Sequence, residues 1–372
     1  MMRLVLSLSG DVDLLKVERA IAEFRGGRPV LVESAEARAL VIGVEALDGL
    51  PVACLEAAAA GQSRLVLPAP RLRRLGLDRT QAGTVALPVI DPARIEALAL
   101  KVESRIDAPV GPVQAVDEEA LELARLSLLM PAVVVVPVAS GIEVDGAVLA
   151  ISGEAIRGYR SAKARDIAVV SRAPVPLEGA PDTEFVVFRG GEGLRDQVAI
   201  VVGKPDLAQP VSVRLHSACL TGDLFGSLKC DCGDQLRDTV AAMAKGEGGI
   251  LLYLDQEGRG NGRANKIRAY KLQSQGYDTY DADEVLGFDL DQRRFDFAAE
   301  MLRQLGVARV RIMTNNPEKI GALERAGLEV VSDQRVIGRP TAQNVRYLAS
   351  KRDRAGHFID LEGLAARTPM QD

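Results

Sequence analysis

Cysteine is scarce in this chain of 372 residues: there are four, and three of them crowd into one stretch, Cys219, Cys230 and Cys232. So few and so clustered, they exclude a disulfide framework and fit a metal site in a reducing compartment. Histidine is scarcer still, with only His216 and His357, so nothing ahead of His216 can use an imidazole. An excess of basic charge is also missing. The formal net charge of −5 and the pI near 5.4 argue against a nucleic-acid partner. Long apolar runs are lacking too: the longest, Leu128 to Ala139, is broken by Pro131 and Pro137 and falls far short of a membrane span. The opening MMRLVLSLSGDVD has one arginine and an apolar run too short for a signal peptide. A cytoplasmic protein with no membrane partner is expected.

What is present is the composition of a globular protein, 47% hydrophobic and 26% charged, in a chain long enough for two domains with separate cores. Asp13 can cap a helix whose apolar positions Val17, Ala20, Ile21 and Phe24 have helical spacing, and Gly26 and Gly27 end it. Pro29 to Val32 starts a buried strand, and apolar runs follow at Ala39 to Val44 and Arg64 to Leu67, with alanine-rich helical sequence between. Asp117 opens a helix through about Leu129, and Ala132 to Val138 is a β-branched strand. The expected fold class is α/β (α+β), with two domains that each hold a mixed sheet and flanking helices. Their boundary falls near Ser171, inside a stretch rich in charge, proline and glycine, giving domains 1–170 and 171–372.

Beyond that boundary, Phe185 to Phe188, Val198 to Val202 and Val211 to Leu215 read as short strands leading into the cysteines, and Gly249 to Leu254 as a buried one. Asp291 reads as the start of a helix with Phe295, Ala298, Leu302 and Leu305 on one face, ended by Gly306. A strand from Val307 to Met313 then turns through Thr314-Asn315-Asn316-Pro317 into a helix from Glu318 to Ala326. Such a junction is where α/β sheets bind phosphate, and Lys319 adds a point charge there. Leu328 to Ser332 is a further strand.

The chemistry lies in RLHSACLTGDLFGSLKCDCGDQL, Arg214 to Leu236, where ten residues separate Cys219 from Cys230 and one aspartate separates Cys230 from Cys232. Thiolate is a soft ligand that Zn²⁺ favours, and three protein ligands plus an open water position are the pattern of a hydrolytic site. His216, three residues before Cys219, makes a closed structural Cys₃His site the alternative. Spacing alone does not choose. Cys54 lies far off in an apolar context and reads as a small core residue. Downstream, DQEGRGNGRANKIRAYKLQSQGYDT has glycines at 258, 260 and 262 that free the backbone to approach a ligand, a plain surface turn being the other reading.

Taken together, RLHSACLTGD, SLKCDCGDQL, QEGRGNG with NKIRAY, QGYDT, LGFDLDQRRF and LGVARVRIMTNNPEKI closely resemble GTP cyclohydrolase II, over roughly Ser171 to Leu364. The resemblance implies a zinc-dependent homodimer that hydrolyses GTP to 2,5-diamino-6-(5-phosphoribosylamino)pyrimidin-4(3H)-one. Formate and pyrophosphate leave, Mg²⁺ accompanies the triphosphate, and the step opens riboflavin biosynthesis. It makes Cys219, Cys230 and Cys232 the ligands of an open, water-bearing zinc site. GTP is expected against Arg214, Leu215, His216, Ser217, Ala218, Gln235, Glu257, Gly258, Arg259, Thr279, Thr314 and Lys319. Asp291 matches the family's proton acceptor, Arg293 its nucleophile toward the α-phosphorus, and Tyr270 a tyrosine beside the purine carbon that is lost.

Guanidinium, with a pKa above about 12, is a poor nucleophile. Arg293 therefore needs Asp291 as a base or acts as a phosphate clamp, and both readings stand. Ala218 occupies the family's usual glutamate position and Asp255 its usual arginine, while Asn261, Arg263 and Ala264 change the loop's apolar end. These departures bear on base specificity. The alternatives are a related zinc hydrolase for another nucleotide and a non-catalytic nucleotide-binding scaffold, although a scaffold has no reason to keep Tyr270, Asp291 and Arg293 together.

In the first half, VERAIAEFRGGRPVLVES, RLRRLGL and EEALELARLSLLMPAVVVV resemble dihydroxybutanone-phosphate synthase, often fused ahead of the family just named. That enzyme carries a glutamate-rich loop after its first strand, replaced here by SAEARALVIG from Ser34 to Gly43, and a catalytic histidine with no counterpart. Metal-assisted enolisation of a sugar phosphate needs those carboxylates to hold the cation. Residues 1–170 are expected to be degenerate and non-catalytic.

Overall fold

The computed structural model describes residues 12–35, 37–49, 52, 55–56, 62–139, 142–191, 195–289, 291–336, 338, 341, 344, 348–349, 352–354 and 356–359. Cys54 and the end of the chain beyond Ile359 lie outside them. The chain forms two compact units, residues 1–162 with 283–289, and residues 163–282 with 290–372. No helix among the described residues is long and apolar enough to cross a membrane.

The first unit runs α1 (Val12–Arg25), β1 (Val30–Glu33), β2 (Arg38–Gly43), a 3-10 turn (Val44–Gly49), β3 (Ser63–Leu67), α2 (Ala69–Arg74), β4 (Gly83–Leu87), α3 (Pro92–Leu100), β5 (Val110–Gly111), α4 (Ala115–Leu126), β6 (Val133–Pro137), β7 (Ala150–Ser152) and α5 (Gly153–Arg165). Its seven strands lie in the order β5-β4-β3-β6-β2-β1-β7, antiparallel except for the β1–β7 pair. Successive side chains of a strand point to opposite faces, and β6 is apolar on both. Val134 and Val136 join Leu65, Leu67 and Ile95 on one side; Val133 and Val135 join Val17, Phe24 and Leu123 on the other. Asp117 does not open α4. The helix begins at Ala115, and Asp117 sits at its third position, closing a reciprocal box with Gln114.

Arg71 of α2 is 1% exposed, an unusual place for a guanidinium, and burial pushes its pKa down to about 10. It is tolerated because four backbone carbonyls accept from it: Leu98 at 2.7 Å, Lys101 at 2.7 Å, Val285 at 3.0 Å and Ala97 at 3.2 Å. Val285 belongs to the 283–289 segment, whose Val285, Leu286 and Phe288 are buried and whose Glu284 pairs with Arg73 at 3.0 Å.

The second unit runs β8 (Ala168–Pro174), β9 (Thr183–Arg189), β10 (Asp196–Val202), β11 (Val211–Ser217), α6 (Leu220–Asp223), α7 (Cys232–Lys245), β12 (Gly249–Leu254), α8 (Arg263–Ser274), α9 (Thr279–Val285, its last three residues already in the 283–289 segment of the first unit), α10 (Asp296–Gln304), β13 (Arg309–Met313), α11 (Pro317–Arg325) and β14 (Glu329–Gln334). Ser171 lies inside β8. The sheet order is β14-β13-β11-β12-β10-β9-β8; the first four strands are mutually parallel and the rest antiparallel. α10 and α11 pack on one face with Val213, Leu215 and Leu252, while α7 packs on the other through Val240 and Met243 with Leu251 and Met313. Helices on both faces leave the C-terminal ends of the parallel strands open, the usual binding crevice of such a sheet. One expected element starts late: α10 begins at Asp296, and Asp291 precedes it in irregular chain. The Asp291 carboxylate accepts from the Arg293 N–H at 3.0 Å, and the Gln292 N–H goes to the Arg259 carbonyl at 3.1 Å. Those bonds compete with a helical turn, and here they win.

Candidate active site

β11 ends at Ser217, and the chain turns through Ala218 into Cys219 and the single turn of α6. Cys230 precedes α7 and Cys232 opens it. All three sulfurs lie within 4.8 Å of one another, with Cys219 and Cys230 Sγ 3.6 Å apart, and all three are free thiols. A tetrahedral ion with Zn–S bonds of about 2.3 Å would space its sulfurs about 3.8 Å apart, so the donor set fits that metal. Crowding shifts the thiols in opposite directions. Hydrogen bonds from Cys230 and Cys232, with Lys266 alongside, push the Cys219 pKa down, whereas the bond to Cys219 pushes that of Cys230 up. Gly222 is wedged against the thiols: a Cβ there would stand 2.8 Å from Cys230 Sγ and 3.0 Å from Cys219 Sγ.

His216 is not among these donors. Its Nε2 lies 3.1 Å and 3.2 Å from the two oxygens of Asp223, and its ring stacks at 5.6 Å on Tyr253, its register partner on β12. Burial pushes its pKa down, and Asp223 opposes that only in part. Asp223 also accepts from the Cys219 N–H at 2.8 Å and from the Tyr253 hydroxyl at 3.0 Å. One buried carboxylate thus ties the first cysteine to two strands. On the far side of Cys219, Glu257 accepts from the Leu220 N–H at 2.8 Å, Lys266 Nζ at 2.7 Å and Arg263 Nε at 3.3 Å.

Arg214, on the same face of β11 as His216, is 6% exposed and donates to the Met313 carbonyl at 3.1 Å and Gln235 Oε1 at 2.5 Å. Burial lowers its pKa to about 10, leaving it cationic. Lys319 Nζ reaches back from α11 to the Leu215 carbonyl at 2.6 Å, so Leu215 contributes backbone while its side chain lies in the core. Thr314, at the end of β13, takes the Asn316 N–H on its hydroxyl at 3.0 Å, and Asn316 caps α11 through the Glu318 N–H at 2.9 Å.

The glycine loop after β12 holds left-handed backbone at Gly258, Arg259, Gly260 and Gly262. At Gly260 the reason is close approach, because a Cβ would meet the Gln292 backbone at 3.1 Å. The loop is thereby laid beside Asp291 and Arg293. Arg293 Nε lies 2.9 Å from Asp291 Oδ1, its Nη2 meets the other oxygen, and its Nη1 lies 3.5 Å from Ser217 Oγ. Burial alone would raise the Asp291 carboxyl, but the Arg293 charge and hydrogen bonds prevail and hold it low. Tyr270, on α8, has its hydroxyl 3.4 Å from Thr221 Oγ1, which is 3.9 Å from Cys219 Sγ; burial raises its pKa to about 12.

Every expected site residue falls in the second unit. Cys219, Cys230, Cys232 and Tyr270 converge on one centre, joined by His216 through Asp223. Ser217 and Asp291 meet at Arg293, whose neighbour Gln292 bonds the Arg259 carbonyl, while Arg214 meets Gln235 and Lys319 meets the Leu215 carbonyl on β11. Ala218 is fixed by its N–H to the Leu254 carbonyl at 2.8 Å. Thr279 reaches this group through its chain neighbour. It opens α9 beside Tyr280, over whose ring the Arg259 guanidinium lies at 3.9 Å. Asp223 and Lys266 are the residues sequence reasoning passed over. Both lie inside quoted blocks, LTGD and NKIRAY, and an acid four residues after a ligand cysteine was the available signal.

The family model described as GTP cyclohydrolase II matches residues 168–335. A GTP cyclohydrolase-2 of Xylella fastidiosa (strain Temecula1 / ATCC 700964) is 43% identical over 359 residues, covering 95% of this chain and 90% of its own. One from Azospirillum brasilense is 40% identical over 371 residues, covering 92% and 94%. Both alignments run through the first half as well as the second. A solved structure, RibBX, a two-domain 3,4-dihydroxy-2-butanone 4-phosphate synthase from A. baumannii, is 18% identical over 87% of this chain and 99% of its own at a TM-score of 0.31.

Proposed function

As the chain belongs to the GTP cyclohydrolase II family, we propose that it hydrolyses GTP to 2,5-diamino-6-(5-phosphoribosylamino)pyrimidin-4(3H)-one, releasing formate and pyrophosphate at the entry to riboflavin biosynthesis. The observation that carries the reading is the meeting of three free thiols with Tyr270 and the Asp291–Arg293 pair at the open ends of parallel strands. Cys219, Cys230 and Cys232 would hold zinc, which supplies Lewis acidity and makes hydroxide accessible near neutral pH. Tyr270, its hydroxyl kept protonated by burial, donates a hydrogen bond where negative charge develops on the opening ring. His216, neutral and oriented by Asp223, lines the base side rather than binding metal.

Arg214, Arg259, Arg293 and Lys319 face the triphosphate with four cationic side chains, and Mg²⁺ accompanies that substrate. Asp291 orients the Arg293 fork and takes a proton from it if Arg293 attacks phosphorus. The enzyme works in the cytoplasm as a homodimer. Residues 1–170 have no catalytic role. Where the related synthase has its acidic loop, β1 and β2 are joined by four residues closed by a Ser34 N–H to Ala37 carbonyl bond at 2.8 Å, with Glu33 paired to Arg38.

The deciding experiment incubates the full chain with GTP, Zn²⁺ and Mg²⁺ and measures formate and pyrophosphate. Both should appear, and Cys230→Ser should abolish formate with loss of bound zinc. Failure to form formate in the zinc-loaded enzyme would overturn the reading in favour of a scaffold. Ribulose 5-phosphate with Mg²⁺ should remain unconverted.

A further inference from the structure

α8 carries Arg263, Lys266 and Tyr270 at helical spacing, so the three share one face. Lys266 is the member turned on the cysteines. Its side chain is 11% exposed, with Nζ 3.1 Å from Cys219 Sγ, 2.7 Å from Glu257 Oε1 and 5.6 Å from the Tyr270 ring centroid. Three thiolates around a dication leave one negative charge over, and an excess charge in a buried site is costly. The Lys266 ammonium cancels it, while the Glu257 charge it also touches is shared with Arg263.

We propose that Lys266 is a positioning residue of the metal centre: its ammonium neutralises the three-thiolate set through Cys219 and, bridged by Glu257 to the Leu220 N–H, holds that cysteine's loop in register. The proposal rests on reading the cysteines as a zinc site. A hydrogen bond from a cation withdraws electron density from the Cys219 sulfur, so this ligand donates less and the metal stays a stronger Lewis acid. Lys266 thus sets how tightly the centre binds its ion and how electron-poor that ion is, without touching substrate.

The test uses the full chain and three variants, Lys266→Met, Lys266→Gln and Lys266→Arg. Zinc affinity is read by competition with a chromophoric chelator, and the sulfur-to-metal charge-transfer bands are read after cobalt substitution. Removing the charge should weaken zinc binding about ten- to a hundredfold in both Met and Gln variants and shift the cobalt bands to lower energy. Arginine should restore most of both. The glutamine variant keeps a hydrogen-bond donor, so it decides on charge even if the methionine variant fails to fold by far-UV circular dichroism. Parental zinc affinity and unshifted bands in Lys266→Gln, beside a tightly binding parent, would overturn this proposal alone. A parent chain that binds no zinc would overturn the metal reading and this proposal with it.

Discussion

Arg293 offers both edges of its fork to Asp291 and keeps Nη1 toward Ser217. Arg293→Lys retains the charge and loses that planar geometry. If the guanidinium attacks phosphorus, pyrophosphate release should fall by several orders of magnitude. A clamp should lose about ten- to a hundredfold, roughly 1.4–2.7 kcal/mol in the barrier. Undiminished release from Arg293→Ala would remove both roles. The same pair fixes a pH dependence. The Asp291 carboxyl is held below its ordinary value in the folded protein, so what the pair contributes is complete above the usual carboxylate range of about 4. That contribution disappears only as pH falls through the lowered value. Pyrophosphate release should therefore show no acid limb from Asp291 between about pH 5 and 8. A limb centred there that vanishes in Asp291→Asn would show the carboxyl is not held low.

At the scale of the element, α6 is one turn long, and its Gly222 is what allows three thiols to close on each other. Gly222→Ala puts a methyl 2.8 Å from Cys230 Sγ, with cysteine and not a flexible side-chain tip to yield. Zinc content should fall well below one per chain by metal analysis while far-UV circular dichroism stays near parental; full occupancy would show the turn can shift. Elements with strong periodicity were legible in the sequence: β6, β11, β12 and the apolar face of α10 follow directly from their residues. So were the three cysteines, since spacing carries ligand chemistry. Asp291 reads as a helix start because an acid ahead of a periodic run looks like a cap; its bond from the Arg293 N–H two residues on, and the Gln292 N–H bond to the Arg259 carbonyl, keep it outside the helix. Asp223 had one local signal, its place four residues after Cys219; its partner Tyr253, and the Cys219 and Glu257 that Lys266 meets, are brought close by strand pairing and helix packing, which no local pattern records.

At the scale of the molecule, chain order and spatial unit part company. A protein starting at Lys163 would keep every candidate site residue, yet it would carry Val285, Leu286 and Phe288 without the Arg71, Pro68 and Pro131 surroundings that cover this segment in the whole chain. Such a truncation should aggregate, as read by size-exclusion chromatography, whereas point changes in the first unit's β1–β2 turn should not. A monodisperse, zinc-loaded truncation would show that the segment is dispensable. The 283–289 excursion also has a bearing on birth. Residues 1–162 of the first unit leave the ribosome first, but Arg71 meets the Val285 carbonyl only after residues 163–282 of the second unit have been made. At elongation rates of about 5–20 residues per second, that wait is of the order of ten seconds. For that interval Arg71 can have three of its four carbonyl acceptors, those of Ala97, Leu98 and Lys101, and completion of the set is timed by translation of the neighbouring unit.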